Sequence, residues 1–305
     1  MLSLLLLACS PSTIDTADNT STHLGACAAG APERRSIDLS AVRLDYACQG
    51  DGPTILMLHG FPEFWRAWDG VMPLLADGHR VVAPDLRGYN TSDKPEPVSD
   101  YQIEALVQDI VDLINQLGGP VVLVGHDWGG GLAWAVASLH PELIDKLVIM
   151  NAPHLNVFRD LLLNDPEQAD AFSYAEFFAS EGSEDVLAAN DFGILTGMFA
   201  DVLDEDELVA YKEAWGQPGA LAGGLNWYRA NLTDGIPNTE LELNVSVPTL
   251  VMWGMDDTAL LPSNLDGLPA YVSDLEVIEV PGATHWIAHE VPETVAGNIR
   301  AFVGD

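Results

Sequence analysis

Apolar runs recur along the chain at TILMLHG (54–60), RVVAP (80–84), VVLVG (121–125), KLVIMN (146–151), PTLVMWG (248–254) and LEVIEV (275–280). Runs without clear alternation belong to strands covered on both faces, and segments of helical spacing near 101–117, 130–139 and 290–303 separate most of them. The pattern predicts an α/β fold with a mostly parallel sheet flanked by helices. RSIDL (35–39) and VRLDYACQG (42–50) read as a hairpin that opens the sheet. FPEFWRAWDGVMPLLA (61–76) has helical spacing, with Trp65, Trp68 and Met72 on one face.

One interval breaks the rhythm. Residues 153–237 are mainly helical in pattern and hold 11 of the 24 aromatic side chains, from Phe158 to Tyr228. Set over the carboxyl ends of parallel strands, such a segment would roof an apolar pocket where open sheets bind ligands. The expected organisation is therefore a core of residues 34–152 and 238–305 with a helical cap at 153–237.

Composition narrows the partners. Against 12 basic side chains stand 46 acidic ones, a net charge of −34. That surface repels nucleic acid and anionic headgroups, so neither is an expected partner. No Cys/His spacing suggests a metal, and no cofactor is expected. The first residues, MLSLLLLACS, are too short an apolar run to span a bilayer. They resemble the end of a lipoprotein signal at 1–9, with Cys9 as the lipid-anchored residue, although the positive n-region is missing. Residues 10–33, rich in Ser, Thr, Ala, Asp and Gly, read as a flexible tether. The expectation is an exported protein, periplasmic or anchored to the outer membrane, and a cytoplasmic one if the signal reading fails. Cys27 and Cys48 then remain as an even pair, either bridged or as two thiols.

The candidate chemistry begins at Gly125-His126-Asp127-Trp128-Gly129. A buried strand, a glycine-flanked turn and a helix form the layout of a nucleophile elbow, with aspartate where serine usually stands. An elbow nucleophile needs a base, an acid to orient it and oxyanion donors, in the chain order nucleophile, acid, histidine. WGMDDTAL (253–260) offers Asp256 and Asp257, of which Asp257 is the better placed beyond Gly254. PGATHWIAHE (281–290) offers His285, with His289 less well placed. The N–H groups of Phe61, after the third strand, and of Trp128, after the nucleophile, are the expected oxyanion donors.

HGFPEFWRAW (59–68), DLRGYNTSDKP (85–95), GHDWGG (125–130), GGLNWYRANL (223–232) and the loop around His285 together resemble the soluble epoxide hydrolases. These are α/β-hydrolases with an inserted cap, close to haloalkane dehalogenases, and the similarity spans residues 35–305. The resemblance implies that Asp127 opens an epoxide and becomes a hydroxyalkyl ester, which water activated by His285 then hydrolyses to a diol. The substrate would be a small apolar epoxide, with water as co-substrate. It further implies two cap tyrosines that protonate the leaving alkoxide. Tyr228 matches one; at the other, Phe177 aligns where the second tyrosine often stands, with Tyr174 one helical turn away. His59, Trp65, His154, Phe177 and Trp286 are candidate substrate contacts, although His154, like His126, also reads as a hydrogen-bonded anchor. The alternatives are a haloalkane dehalogenase with the same nucleophile and, in another class, an inactive hydrolase fold that binds a ligand.

Overall fold

The computed structural model describes residues 25–232 and 243–304. Cys9, the expected signal, most of the expected tether and the 237/238 boundary lie outside the described residues. Eight strands form one sheet: β1 (Glu33–Asp38), β2 (Arg43–Gln49), β3 (Thr54–Leu58), β4 (Arg80–Pro84), β5 (Val121–His126), β6 (Ile144–Met150), β7 (Thr249–Gly254) and β8 (Leu275–Val280). Their order is β1-β2-β4-β3-β5-β6-β7-β8. The hairpin β1–β2 joins antiparallel at β4, and every pair from β4 through β8 is parallel.

The apolar runs are continuous because successive residues face two different cores. Leu56, Leu58, Leu123, Ile149 and Val251 point into one. Ile55, Met57, Val122, Val148 and Met252 point into the other. The second core is closed by Trp68, by Met72 of α1 (Met72–Leu75) and by Ile299 of the C-terminal helix. The first is closed by α2 (Ile103–Leu117) and α3 (Asp127–Leu139). β8 is an edge strand, and Glu276 and Glu279 on its exposed positions discourage pairing with another chain.

Between β6 and β7 the chain forms α4 (Leu155–Asn164), α5 (Pro166–Ala171), α6 (Tyr174–Ala179), α7 (Ser183–Met198), α8 (Glu205–Trp215) and α9 (Ala220–Leu232). α7 is interrupted at Asn190, Asp191 and Phe192, which take φ of 54°, 57° and 61°. The chain ends in α10 (Ile287–Glu290) and α11 (Pro292–Val303).

Three expectations change. The helix expected over 61–76 is a 3₁₀ turn at Trp65–Trp68 followed by the short α1. Gly70 and Pro73 interrupt it, and a Cβ at Gly70 would stand 3.0 Å from Pro292. The helix expected over 290–303 begins at Pro292, and a separate short helix precedes it. α3 begins at Asp127, three residues before the expected start. Cys27 and Cys48 are bridged, and the adjoining backbone pairs Cys27 N–H with Gly50 C=O at 3.0 Å. Among the described residues no helix is long and apolar enough to cross a membrane.

Candidate active site

Asp127 follows the last residue of β5 and starts α3 with φ of 50°, a left-handed conformation that non-glycine residues rarely hold. The turn is tight enough to exclude side chains on its neighbours. A Cβ at Gly125 would lie 2.5 Å from the Gly129 carbonyl oxygen, and one at Gly129 would lie 2.3 Å from that of Leu58. A Cβ at Gly60 would meet the Asp127 side chain itself at 2.3 Å. The absence of side chains at these glycines lets the backbones close up, and the tight turn carries the carboxylate beyond the carboxyl end of β5.

There Oδ1 of Asp127 accepts the Phe61 N–H at 2.8 Å. Oδ2 faces Nε2 of His285 at 3.6 Å, and Nδ1 of His285 meets Oδ2 of Asp257 at 2.8 Å. Asp256 is exposed, whereas the Asp257 carboxylate is fully enclosed. Its Oδ1 accepts the N–H groups of Ala259 and Leu260 at 2.8 and 2.9 Å, and its Oδ2 accepts Nδ2 of Asn151 at 2.8 Å. Burial works against both charges of the pair. Even so, the Asp257 carboxylate and then Asp127 push His285 well above the usual histidine range, while His285 draws Asp257 down.

The cap supplies the opposite wall. Tyr228 of α9 is buried with its ring 5.0 Å from Trp128, 5.4 Å from Phe61 and 5.2 Å from Phe178. Tyr174 of α6 packs on the same Phe178 ring at 5.3 Å. Burial and then the Asp127 carboxylate raise both hydroxyls well above the usual tyrosine range, so both keep their protons. Trp286 stands edge-on to His285 at 4.9 Å and against Phe199 at 4.2 Å.

Four of the expected substrate contacts lie elsewhere. Phe177 is 36% exposed and its ring meets Phe178 from outside, so it does not stand over the nucleophile. The helix turns Tyr174 inward, and position 177 falls on the outer face. His59 is fully buried. Its Nδ1–H donates to Gly60 C=O, its Nε2 accepts the Leu86 N–H, and burial lowers its pKa to about 4. His154 is likewise enclosed, donating to the Leu243 carbonyl at 2.7 Å and stacking on Tyr271. Trp65 is occupied by the guanidinium groups of Arg34 and Arg66 at 5.2 and 5.5 Å.

The sequence reading missed a polar cluster behind the site. Glu63, buried, accepts from His126 at 3.0 Å, from His289 at 2.7 Å and from the Tyr211 hydroxyl at 3.3 Å. Burial opposes its charge, yet the two histidines hold its carboxyl far below the usual range. His126 reaches the His285 carbonyl through its other nitrogen at 2.8 Å. This cluster joins the oxyanion loop, the elbow, the histidine loop and the cap. A carboxylate inside an otherwise apolar stretch, HGFPEFW, was the available signal. Asn151 was also missed. Its φ of 38° and its paired bonds to Gly254 and Asp257 fix the acid, and nothing in NAP alone announces that.

The family model of the α/β-hydrolase fold matches residues 53–292. An AB hydrolase superfamily protein of Bacillus subtilis is 38% identical over 269 residues, 85% of this chain and 93% of its own length. Epoxide hydrolase 4 of Mus musculus is 36% identical over 279 residues, covering 87% of this chain and 77% of that protein. The solved structure of an epoxide hydrolase from Bacillus megaterium superposes with a TM-score of 0.83 at 32% identity, covering 89% of this chain and all of the other. With its elbow, sheet order and inserted helices, the chain belongs to the α/β-hydrolase superfamily and, within it, to the epoxide hydrolase family.

Proposed function

We propose that the protein hydrolyses epoxides to vicinal diols through an ester on Asp127. The observation that carries this reading is the pair of enclosed cap tyrosines, Tyr228 packed on Trp128 and Phe61 beside the nucleophile and Tyr174 on Phe178, opposite a carboxylate held by the Phe61 N–H. A halide can leave with only N–H stabilisation, whereas an epoxide oxygen leaves as an alkoxide and takes up a proton. The likeness to proteins named epoxide hydrolases points the same way.

In the first step Oδ2 of Asp127 attacks an epoxide carbon from behind. The carbon–oxygen bond breaks, and the departing oxygen takes a proton from Tyr228 or Tyr174. An ester now occupies the elbow and its carboxylate charge is gone. That charge is one of the causes that raise His285, so alkylation lowers the histidine toward the neutral form that a base requires. Neutral His285, oriented by Asp257, then takes a proton from water, whose oxygen attacks the ester carbon. Oδ1, on the Phe61 N–H with Trp128 N–H as second donor, carries the oxyanion. Collapse breaks the acyl–oxygen bond, and the departing alkoxide takes the proton from the His285 imidazolium. The reformed Asp127 carboxyl returns its proton to the tyrosinate, and the diol leaves with all three groups back in their starting states.

The test supplies purified protein with styrene oxide, an aliphatic epoxide and a bromoalkane, measuring diol and bromide together. His285→Gln should stop at the ester, giving an adduct on the peptide that contains Asp127. Diol formation with label elsewhere, or bromide release without diol, overturns the reading.

The Cys27–Cys48 bridge supports a second part of the proposal, that the protein is exported and held at a membrane through Cys9. Cys9→Ser should release it from the membrane fraction with activity retained. Recovery of reduced Cys27 and Cys48 from unlipidated native protein would refute export.

A further inference from the structure

Asp257 heads a loop with no strand partner, and the loop's peptide groups are held by side chains. The N–H groups of Ala259 and Leu260 go to Asp257 Oδ1. The Leu260 carbonyl accepts from the Trp253 indole at 3.2 Å, and the Leu261 carbonyl accepts from Asn264 Nδ2 at 2.9 Å. The two remaining groups between 259 and 261 are both taken by one side chain from the cap. Gln168 of α5, fully buried, donates Nε2–H to the Ala259 carbonyl at 2.9 Å. Its Oε1 accepts the Leu261 N–H at 2.9 Å and Asn264 Nδ2 at 2.8 Å.

A peptide unit is a rigid plane, so its C=O and the next N–H turn together. The plane between Ala259 and Leu260 is gripped at its C=O end by Gln168 and at its N–H end by Asp257. The next plane is gripped by Trp253 and again by Gln168. A cap residue and the acid beside His285 thus grip opposite ends of one stiff peptide plane.

We propose that Gln168 is a positioning residue for the Asp257–His285 pair, so that seating of the cap sets the alignment on which ester hydrolysis depends. This deepens the two-step reading above and rests on it. Asp127 and its Phe61 donor lie on other loops and share no hydrogen bond with Gln168. Loss of Gln168 should therefore act on the second step and spare the first. A residue that merely cemented the cap would slow both, because the tyrosines of the first step also sit on the cap.

The test is single-turnover rapid quench with styrene oxide, following ester on Asp127 and diol separately across pH. Gln168→Met keeps the length and removes all three hydrogen bonds. Ester formation should stay within about 2-fold of the unaltered protein while hydrolysis slows between about 10- and 100-fold, the scale of a small misalignment. The pH limb of hydrolysis should also move downward, since a displaced Asp257 stabilises the imidazolium less. Gln168→Glu keeps the acceptor for Leu261 but has no N–H for Ala259, and it should show the same selective loss; it carries the test if the Met variant does not fold. Equal slowing of both steps, or normal hydrolysis in a folded variant, overturns the proposal. Absence of ester in the unaltered protein and in His285→Gln overturns the two-step reading and this one together, a distinguishable result.

Discussion

The two walls of the site are made by different forces. On the core side, Asp127, His285, Asp257 and Asn151 are fixed by hydrogen bonds of 2.8 Å, by the 3.6 Å ion pair between His285 and Asp127, and by glycines with no room for a methyl group. On the cap side, Tyr174, Phe178 and Tyr228 stand in a row of ring contacts between 5.2 and 5.3 Å. Hydrogen bonds and backbone contacts fail abruptly with distance and angle, whereas aromatic packing yields gradually. The core wall should therefore be all-or-none under substitution, and the cap wall graded.

The strongest way to break this contrast is to put a methyl group into the elbow. Gly129→Ala sets a Cβ against backbone oxygens of Leu58 and His59, neither of which can swing aside. Loss of at least about 3 kcal/mol of stability, together with all diol formation, is expected by thermal melting and turnover assay. A soluble variant with partial activity would count against a rigid wall.

Next in size, Tyr228→Phe removes the hydroxyl proposed to protonate the leaving oxygen and leaves the ring packing intact, so turnover should fall about 10²-fold with little change in melting temperature. Tyr174→Phe should cost less, on the order of 10-fold, if the two hydroxyls share the task. Equal activity of both variants to the parent would remove the tyrosines from the chemistry. Smallest of all, Phe177→Ala should change turnover by less than about 2-fold, because that ring lies on the outer face. A large loss there would bring the position back into the pocket.

Glu63 belongs to both walls, since Tyr211 reaches it from the cap and His126 from the elbow. Its folded pKa lies below its unfolded one, so its contribution is present above the ordinary glutamate range and disappears as pH falls. The gap in melting temperature between the protein and Glu63→Gln should be widest near neutral pH. Below about pH 4 it should narrow.

The same contrast governs what could be read from the chain. The strands and the elbow were legible because a doubly buried strand and a glycine-flanked turn leave local patterns. His285 and Asp257 followed from chain order and from their positions just beyond strands. The cap was legible as a helical insertion but not in its facing. Phe177 and Tyr174 differ by one turn, and only the docking of α6 decides which points inward. Histidine was the least readable type. His59 and His154 are common anchors in burial, and the sequence gives no sign of which carbonyl will lie beside each ring. Asn151 and Glu63 act through partners about 100 and 63 or more positions distant, pairings that no short pattern encodes.

The sheet order has one more consequence. Asp127 leaves β5 and Asp257 follows β7, with β6 between them. Neighbouring strands sit about 4.8 Å apart, a pitch set by peptide hydrogen bonding and indifferent to side chains. The two carboxylates are therefore spaced by a ruler two divisions long, and the imidazole of His285 spans the interval between them. The spacing of the two carboxylates is thus inherited from the backbone, and the cap can be reshaped around different guests as long as the grip of Gln168 on the Asp257 loop is kept.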